Sequence, residues 1–275
     1  MLPLTQWPLA DRRSITGVFT DIDDTLTTDG AITPDALKAL GDLKAAGLTV
    51  IAITGRPVGW SEEVAFAVGK SWPVDAVVAE NGSTALFLDK ISTVPRKNIA
   101  QRLSKIYQQD SAMRSRNCEH MKQVVQRVLR EVSGALVSQD SSGRETDIAI
   151  DHSEFTHLSA EKIAQTVKIM KSEGMNATVS SIHINGWFGD HNKLAGARWI
   201  VRELFGRDLD LEKSRWAYVG DSTNDQLMFE HLPCSIGVAN IRRFEGELSH
   251  KPRYITQGYR GAGFTEVAQA LLGRC

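Results

Sequence analysis

A chain of 275 residues suits one large domain or two modest ones. Its 42 % hydrophobic and 24 % charged residues support a packed core and exclude a disordered chain. Lysine plus arginine (32) nearly balances aspartate plus glutamate (33), and a net charge of -1 gives no reason to expect a nucleic-acid partner.

In chain order, the opening segment MLPLTQWPLADRRS lacks the basic-then-apolar order of a secretory leader. Residues 15–20 (ITGVFT) read as a buried strand. Thr33-Pro34 then offers a helix N-cap followed by proline at the first helical position. Ala36, Leu37, Leu40 and Leu43 recur at helical spacing, and Gly47 supplies the stop. LTVIAIT (48–54) is a second apolar strand, a helix is expected over 60–69, and DAVVAE (75–80) is a third strand. Apolar strands alternating with helices predict a parallel sheet with crossovers.

The rhythm changes after Asn81-Gly82, a hairpin-turn pair leading into STALFL (83–88). Residues 97–132 are polar and read as mainly helical. Strands near 135–138 and 146–151, a helix over 159–173, and strands near 176–180 and 182–188 then describe an antiparallel α+β module. The first pattern resumes with a helix over 191–204, strand WAYVG (216–220), a helix near 224–231, strand CSIGVA (234–239) and a last helix near 263–272. The expected fold class is α/β: a Rossmann-like parallel-sheet core, residues 1–88 and 189–275, with an inserted α+β cap, residues 89–188.

In such a sheet, ligands bind beyond the carboxyl ends of the strands. The first strand ends in Asp21-Ile22-Asp23-Asp24-Thr25, the second in Thr54-Gly55-Arg56, and WAYVG in Gly220-Asp221-Ser222-Thr223-Asn224-Asp225. Lys193 opens the helix before that last strand. Converging ends gather carboxylates that repel one another unless a cation joins them. An all-oxygen donor set points to Mg2+, and magnesium with a lysine points to a phosphorylated small molecule. Asp21 and Asp23 are two apart and face one side of an extended strand end. One can attack phosphorus. The other can protonate the leaving oxygen and later deprotonate water.

These segments resemble the four motifs of the haloacid dehalogenase superfamily: D-I-D-D-T-L, a threonine at the next strand end, a later lysine, and G-D-S-T-N-D. The position of the insertion is similar to that of members with a large α/β cap, among them sucrose-phosphate, trehalose-phosphate and mannosyl-phosphoglycerate phosphatases. The resemblance implies Asp21 as nucleophile and Asp23 as general acid/base. It further implies Thr54 on a phosphoryl oxygen and Lys193 on nucleophile and phosphate. The metal would be held by Asp21, the Asp23 carbonyl and, chiefly, Asp221, with Asp225 or Asn224 completing the shell. Asp24 stands where many relatives have glycine, and HNKLAG is less typical than a Lys-Gly pair.

Gly55, Arg56, Asn81 and Asn224 are further candidates for phosphate or substrate contact. On the cap, Ser181, His183 and Asn185 alternate onto one strand face that leads back toward Lys193, which makes His183 and Asn185 candidates for reading the leaving group. Arg144, Asp147 and His152 are weaker ones. A calcium loop fails on spacing: the sixth and twelfth positions are Leu26 and Ile32 counted from Asp21, and Gln226 and Leu232 counted from Asp221.

The expected function is magnesium-dependent hydrolysis of a phosphate monoester, with a phosphomutase or a slow-turnover phosphoryl-accepting signalling module as alternatives. Cys118, Cys234 and Cys275 fit neither a disulfide framework nor a metal site. No apolar run approaches a membrane span, and the cytoplasm is the expected location.

Overall fold

The computed structural model describes residues 1–67, 69–90 and 101–273. In chain order, β1 (Leu2–Pro3) and β2 (Gly17–Thr20) precede a small hairpin of β3 (Thr27–Thr28) and β4 (Ala31–Ile32). Next come β5 (Thr49–Ile53), β6 (Ala76–Ala79), β7 (Thr84–Lys90) and β8 (Gln101–Tyr107). β9 (Leu136–Val137), β10 (Asp147–Asp151), β11 (Asn176–Val179) and β12 (His183–Trp187) follow, then β13 (Trp216–Gly220), β14 (Cys234–Gly237) and β15 (Tyr254–Ile255).

The large sheet runs β1-β15-β14-β13-β2-β5-β6-β7-β8. From β1 to β6 every pairing is parallel, and β7 and β8 are antiparallel additions at one edge. β2 is fully buried, and its side chains divide between two cores. Val18 joins one with the helices Pro34–Ala45 and Arg260–Leu271, while Phe19 joins the other and stacks on Trp216 at 4.4 Å between ring centroids. Burial on both faces is why these strands read as continuous apolar runs.

The chain builds outward from β2 on one side (β5, β6) and returns on the other through β13. That reversal opens a crevice beyond the carboxyl ends of β2 and β13. Thr20 pairs with Val219, and the Asp21 N–H donates to the Val219 carbonyl at 2.9 Å. The two acidic loops are thereby placed side by side.

A second, antiparallel sheet runs β11-β12-β10-β9. Helices Ser111–Glu131 and Ala160–Ser172 cover one of its faces through Met121, Val124, Val128, Ile169 and Met170 packed on Ile150 and Ile184. Asp110 and Ser159 cap these helices, accepting from the N–H groups of Met113 and Lys162. The opposite, polar face carries Asp147, Asp151, His183 and Asn185, in register as Asp151↔His183 and Ala149↔Asn185. It lies over the strand ends of the large sheet, where Asn185 Nδ2 reaches the Gly55 carbonyl at 3.4 Å.

Three expectations change. Residues 101–107, expected to be helical, form β8, paired with β7 from Thr84↔Tyr107 to Lys90↔Gln101. A strand at a sheet edge is half solvated and protected by charge, so its Gln, Arg, Ser and Lys look like a polar helix in sequence. The chain thus leaves the large sheet after Tyr107 rather than after residue 88; residues 91–100 lie outside the described residues. The helix expected over 60–69 is shorter, a helical turn Val58–Trp60 running into a π-turn Ser61–Ala65. The segment Glu80–Gly82 is a tight turn with Glu80 and Asn81 both left-handed (φ 46° and 55°), not a two-residue hairpin loop.

Candidate active site

Asp21 sits one residue beyond β2, and Lys193 is the first residue of the helix Lys193–Phe205. Glycines bring that helix end close to the sheet. A Cβ on Gly82 would meet the Asn192 carbonyl oxygen at 2.3 Å, and one on Gly196 would meet the Gly82 Cα at 2.6 Å. Lys193, only 3 % exposed, contacts Asp21 Oδ1 at 2.8 Å and Asp225 Oδ1 at 2.6 Å, and donates to Asn224 Oδ1 at 3.3 Å. Burial alone would depress this ammonium, but the two aspartates hold it above its usual value. Among the described residues no hydrogen bond reaches Asp21 Oδ2.

Asp225 spends both oxygens on protein donors. Oδ1 accepts from Lys193 and the Tyr218 hydroxyl, and Oδ2 accepts from the N–H groups of Asp221 (2.8 Å) and Ser222 (3.1 Å). Asp221 is wholly buried. Its Oδ2 accepts from Asn240 Nδ2 (3.0 Å) and Arg243 (3.1 Å), and among the described residues its Oδ1 has only the Thr25 hydroxyl at 3.5 Å.

Carboxylate oxygens of Asp21, Asp221 and Asp225 lie within 4.8 Å of one another. Burial raises the Asp21 carboxyl to about 7; adjacent Lys193 opposes the rise, and Asp225 adds to it. Asp221 is pushed well above the carboxylate range by burial, then by Asp21 and Asp225, against the pull of Arg243. Such crowding is what a hard divalent cation relieves, and the donors are all oxygen. Asp21 Oδ2 and Asp221 Oδ1 are the least engaged carboxylate oxygens of this cluster among the described residues. Asp225 orients the loop and the lysine.

Asp23 is held by Arg56, whose Nε donates to its two oxygens at 2.9 and 3.0 Å. The same guanidinium, 6 % exposed, pairs with Glu154 at 2.9 Å and Asp140 at 3.3 Å and lies 5.3 Å from the Trp60 ring centre. Arg56, expected to contact phosphate or substrate, therefore joins the Asp23 loop to two segments of the covering module. Thr54 is buried, its hydroxyl oxygen accepting from the Arg56 N–H at 3.0 Å.

Asp21, Asp23, Gly55, Arg56, His183, Asn185 and Asn224 share one narrow crevice. Asn81 lies at its edge, near enough that a Cβ on Gly55 would meet its amide at 3.3 Å. His183 Nε2 contacts Glu154 at 2.7 Å, and Asn185 Nδ2 donates to Asp147 at 3.1 Å. Arg144 pairs with Asp147 at 2.8 Å and donates to the Gly55 carbonyl at 3.0 Å. His152 instead faces the Ser180 carbonyl at 3.0 Å.

Glu80 pins the module on the other side. Its buried carboxylate accepts from the N–H groups of Val58, Glu145 and Thr146 and from the Thr146 hydroxyl. Glu80, Tyr218, Asp140, Glu154, Asn240 and Arg243 escaped the sequence reading. Asn240 had a usable signal, since it lies just past the end of β14, where strand-end reasoning applies.

An α/β sheet with these three strand-end segments and the helix-opening Lys193 defines a hydrolase class. The chain belongs to the haloacid dehalogenase-like hydrolase family, whose pattern matches residues 18–244. Comparison with curated proteins finds no match. Among solved structures, a Thermoplasma acidophilum protein shares the fold with TM-score 0.65 and 17 % identity, over 94 % of this chain and 98 % of the other. The Synechocystis sucrose-phosphatase, solved with sucrose and phosphate, gives 0.64 and 16 % over 94 % and 98 %. A subclass IIB sugar phosphatase of the same superfamily gives 0.59 and 14 % over 94 % and 98 %. No helix among the described residues is long and apolar enough to cross a membrane.

Proposed function

We propose that this chain is a magnesium-dependent phosphate monoester hydrolase acting on a small, hydroxyl-rich phosphate such as a sugar phosphate. The observation that carries the reading is Asp21: one oxygen fixed by buried Lys193 at 2.8 Å, the other open beside buried Asp221. Residues 108–188 serve as a cap over this site.

Asp21 Oδ2 attacks phosphorus, forming an aspartyl phosphate as the bond to the ester oxygen breaks, and Asp23 gives that oxygen its proton. Asp23 then takes a proton from water, whose oxygen attacks phosphorus, releasing phosphate and restoring the Asp21 carboxylate. Lys193 and Thr54 hold the phosphoryl oxygens. Magnesium, when bound by Asp21, Asp221 and the Asp23 carbonyl, supplies charge neutralisation at the phosphate. The cap excludes water and presents His183, Asn185, Ser181 and Glu154, groups that donate to and accept from sugar hydroxyls. The fold shared with sugar phosphatases supports this choice.

The test is phosphate release from p-nitrophenyl phosphate and a panel of sugar phosphates, with magnesium and with EDTA. Magnesium-dependent release is expected. A blank across the panel overturns the hydrolase reading, and hexose-phosphate isomerisation without phosphate release replaces it with a mutase.

A further inference from the structure

Asn240 belongs to none of the four motifs, yet it touches both acidic loops. It lies in the turn Ala239–Phe244 after β14. Its Oδ1 accepts from the Arg260 N–H at 2.9 Å, which fixes the amide orientation. Its Nδ2 is thereby aimed at the Asp24 carbonyl (3.0 Å) and at Asp221 Oδ2 (3.0 Å). Asp24 is left-handed, with φ 55°, a conformation unfavourable for a non-glycine residue that persists only where neighbours enforce it. Arg243 makes a parallel charged bridge, to Asp24 Oδ2 at 2.9 Å and Asp221 Oδ2 at 3.1 Å, but its side chain is 41 % exposed.

With Oδ2 pinned by Asn240 and Arg243, Asp221 keeps Oδ1, 3.5 Å from the Thr25 hydroxyl, as its less engaged oxygen. A carboxylate locked through one oxygen offers the other in a single direction, and magnesium tolerates little deviation in its ligands. We propose that Asn240 is the positioning residue of the magnesium site, locking Asp221 and the loop after Asp23 into ligating geometry. Arg243 adds charge that opposes the metal rather than direction that favours it. This rests on the magnesium-dependent reading given above.

The experiment is calorimetric titration of magnesium chloride into the full chain without substrate, for wild type, Asn240→Ala, Asn240→Ser and Arg243→Gln. Circular dichroism in EDTA reports the fold. Asn240→Ala is expected to bind magnesium about ten- to a hundredfold more weakly with an unchanged spectrum. Asn240→Ser, a milder polar truncation, carries the same test if the alanine variant fails to fold. Arg243→Gln is expected to bind within about threefold of wild type, or more tightly. Wild-type affinity in the asparagine variants would overturn the proposal, as would an equal loss in Arg243→Gln, which would move the lock to the arginine. A wild-type chain that binds no magnesium would instead overturn the functional reading itself.

Discussion

Replacing Lys193 with methionine keeps the length of the side chain and deletes the one ammonium that faces both Asp21 and Asp225, at 2.8 and 2.6 Å. Both aspartates are buried and stay in place. Breaking a buried pair by removing one partner costs about 3–5 kcal/mol, because the remaining charge is stranded without solvent. That is a large share of the roughly 5–15 kcal/mol that holds a domain together. The cost has a pH signature. Lys193 loses its charge only above its raised pKa, so the wild-type pair is intact throughout the neutral range. In the variant, Asp21 lacks the opposing lysine and its carboxyl rises further above about 7. A carboxyl raised on folding loses stability as pH climbs from its unfolded value toward its folded one, so the variant's deficit is smallest near pH 4 and largest near pH 8. Urea unfolding in EDTA at pH 4.5 and 7.5, on both proteins, measures this. A Lys193→Met chain as stable as wild type at pH 7.5, or a deficit that does not change with pH, would refute the electrostatic account of the site.

Asp21→Asn, nearly isosteric but unable to form the aspartyl phosphate, is expected to lose at least about a thousandfold in kcat on any accepted substrate; a wild-type rate removes Asp21 as nucleophile. Arg56→Lys exchanges a planar fork for a point charge and cannot serve Asp23, Glu154 and Asp140 together. It is expected to lower kcat/KM about a hundredfold, more than it raises KM, as initial rates across substrate concentrations will show. His191 is 4 % exposed, and burial lowers it to about 4, so it folds neutral. Stability is complete above the unfolded value near 6.5 and is lost as pH falls toward 4, by about 3 kcal/mol. His191→Phe should abolish that acid-sensitive component in unfolding curves.

The central strands and their acidic ends were legible because their signals are local. Apolar runs, Thr33-Pro34, Gly47 and the spacing of Asp21, Asp23, Asp221 and Asp225 depend on neighbours in sequence. β8 was not legible, since an edge strand's composition answers to solvent on its open side. Tyr218 was hidden within an apolar strand, and its hydroxyl matters only because Asp225 folds back beneath it. Glu154 and Asp140 are ordinary surface acids in sequence; their meaning appears when the cap brings them to Arg56. The ion-pair partners of Arg56 were hidden for the same reason. Its strand-end position was readable, but its partners come from 84 and 98 residues further along the chain.

The buried Glu80 carboxylate divides the seam between the two sheets into unequal halves. On its side, three donors from Glu145 and Thr146 converge on one carboxylate and must be released together if the seam parts, while the Val58 N–H holds that carboxylate from its own side. Across the crevice, the fastening is a cluster of ion pairs around the Arg56 guanidinium, with Arg144 and Asn185 on the Gly55 carbonyl, bordering a cleft of about 640 Å³ lined by Asp23, Asp24, Glu154 and Arg260. Opening of the proposed cap is therefore expected to pivot about Glu80 and to part first at the arginine, and closure to return that cation to Asp23.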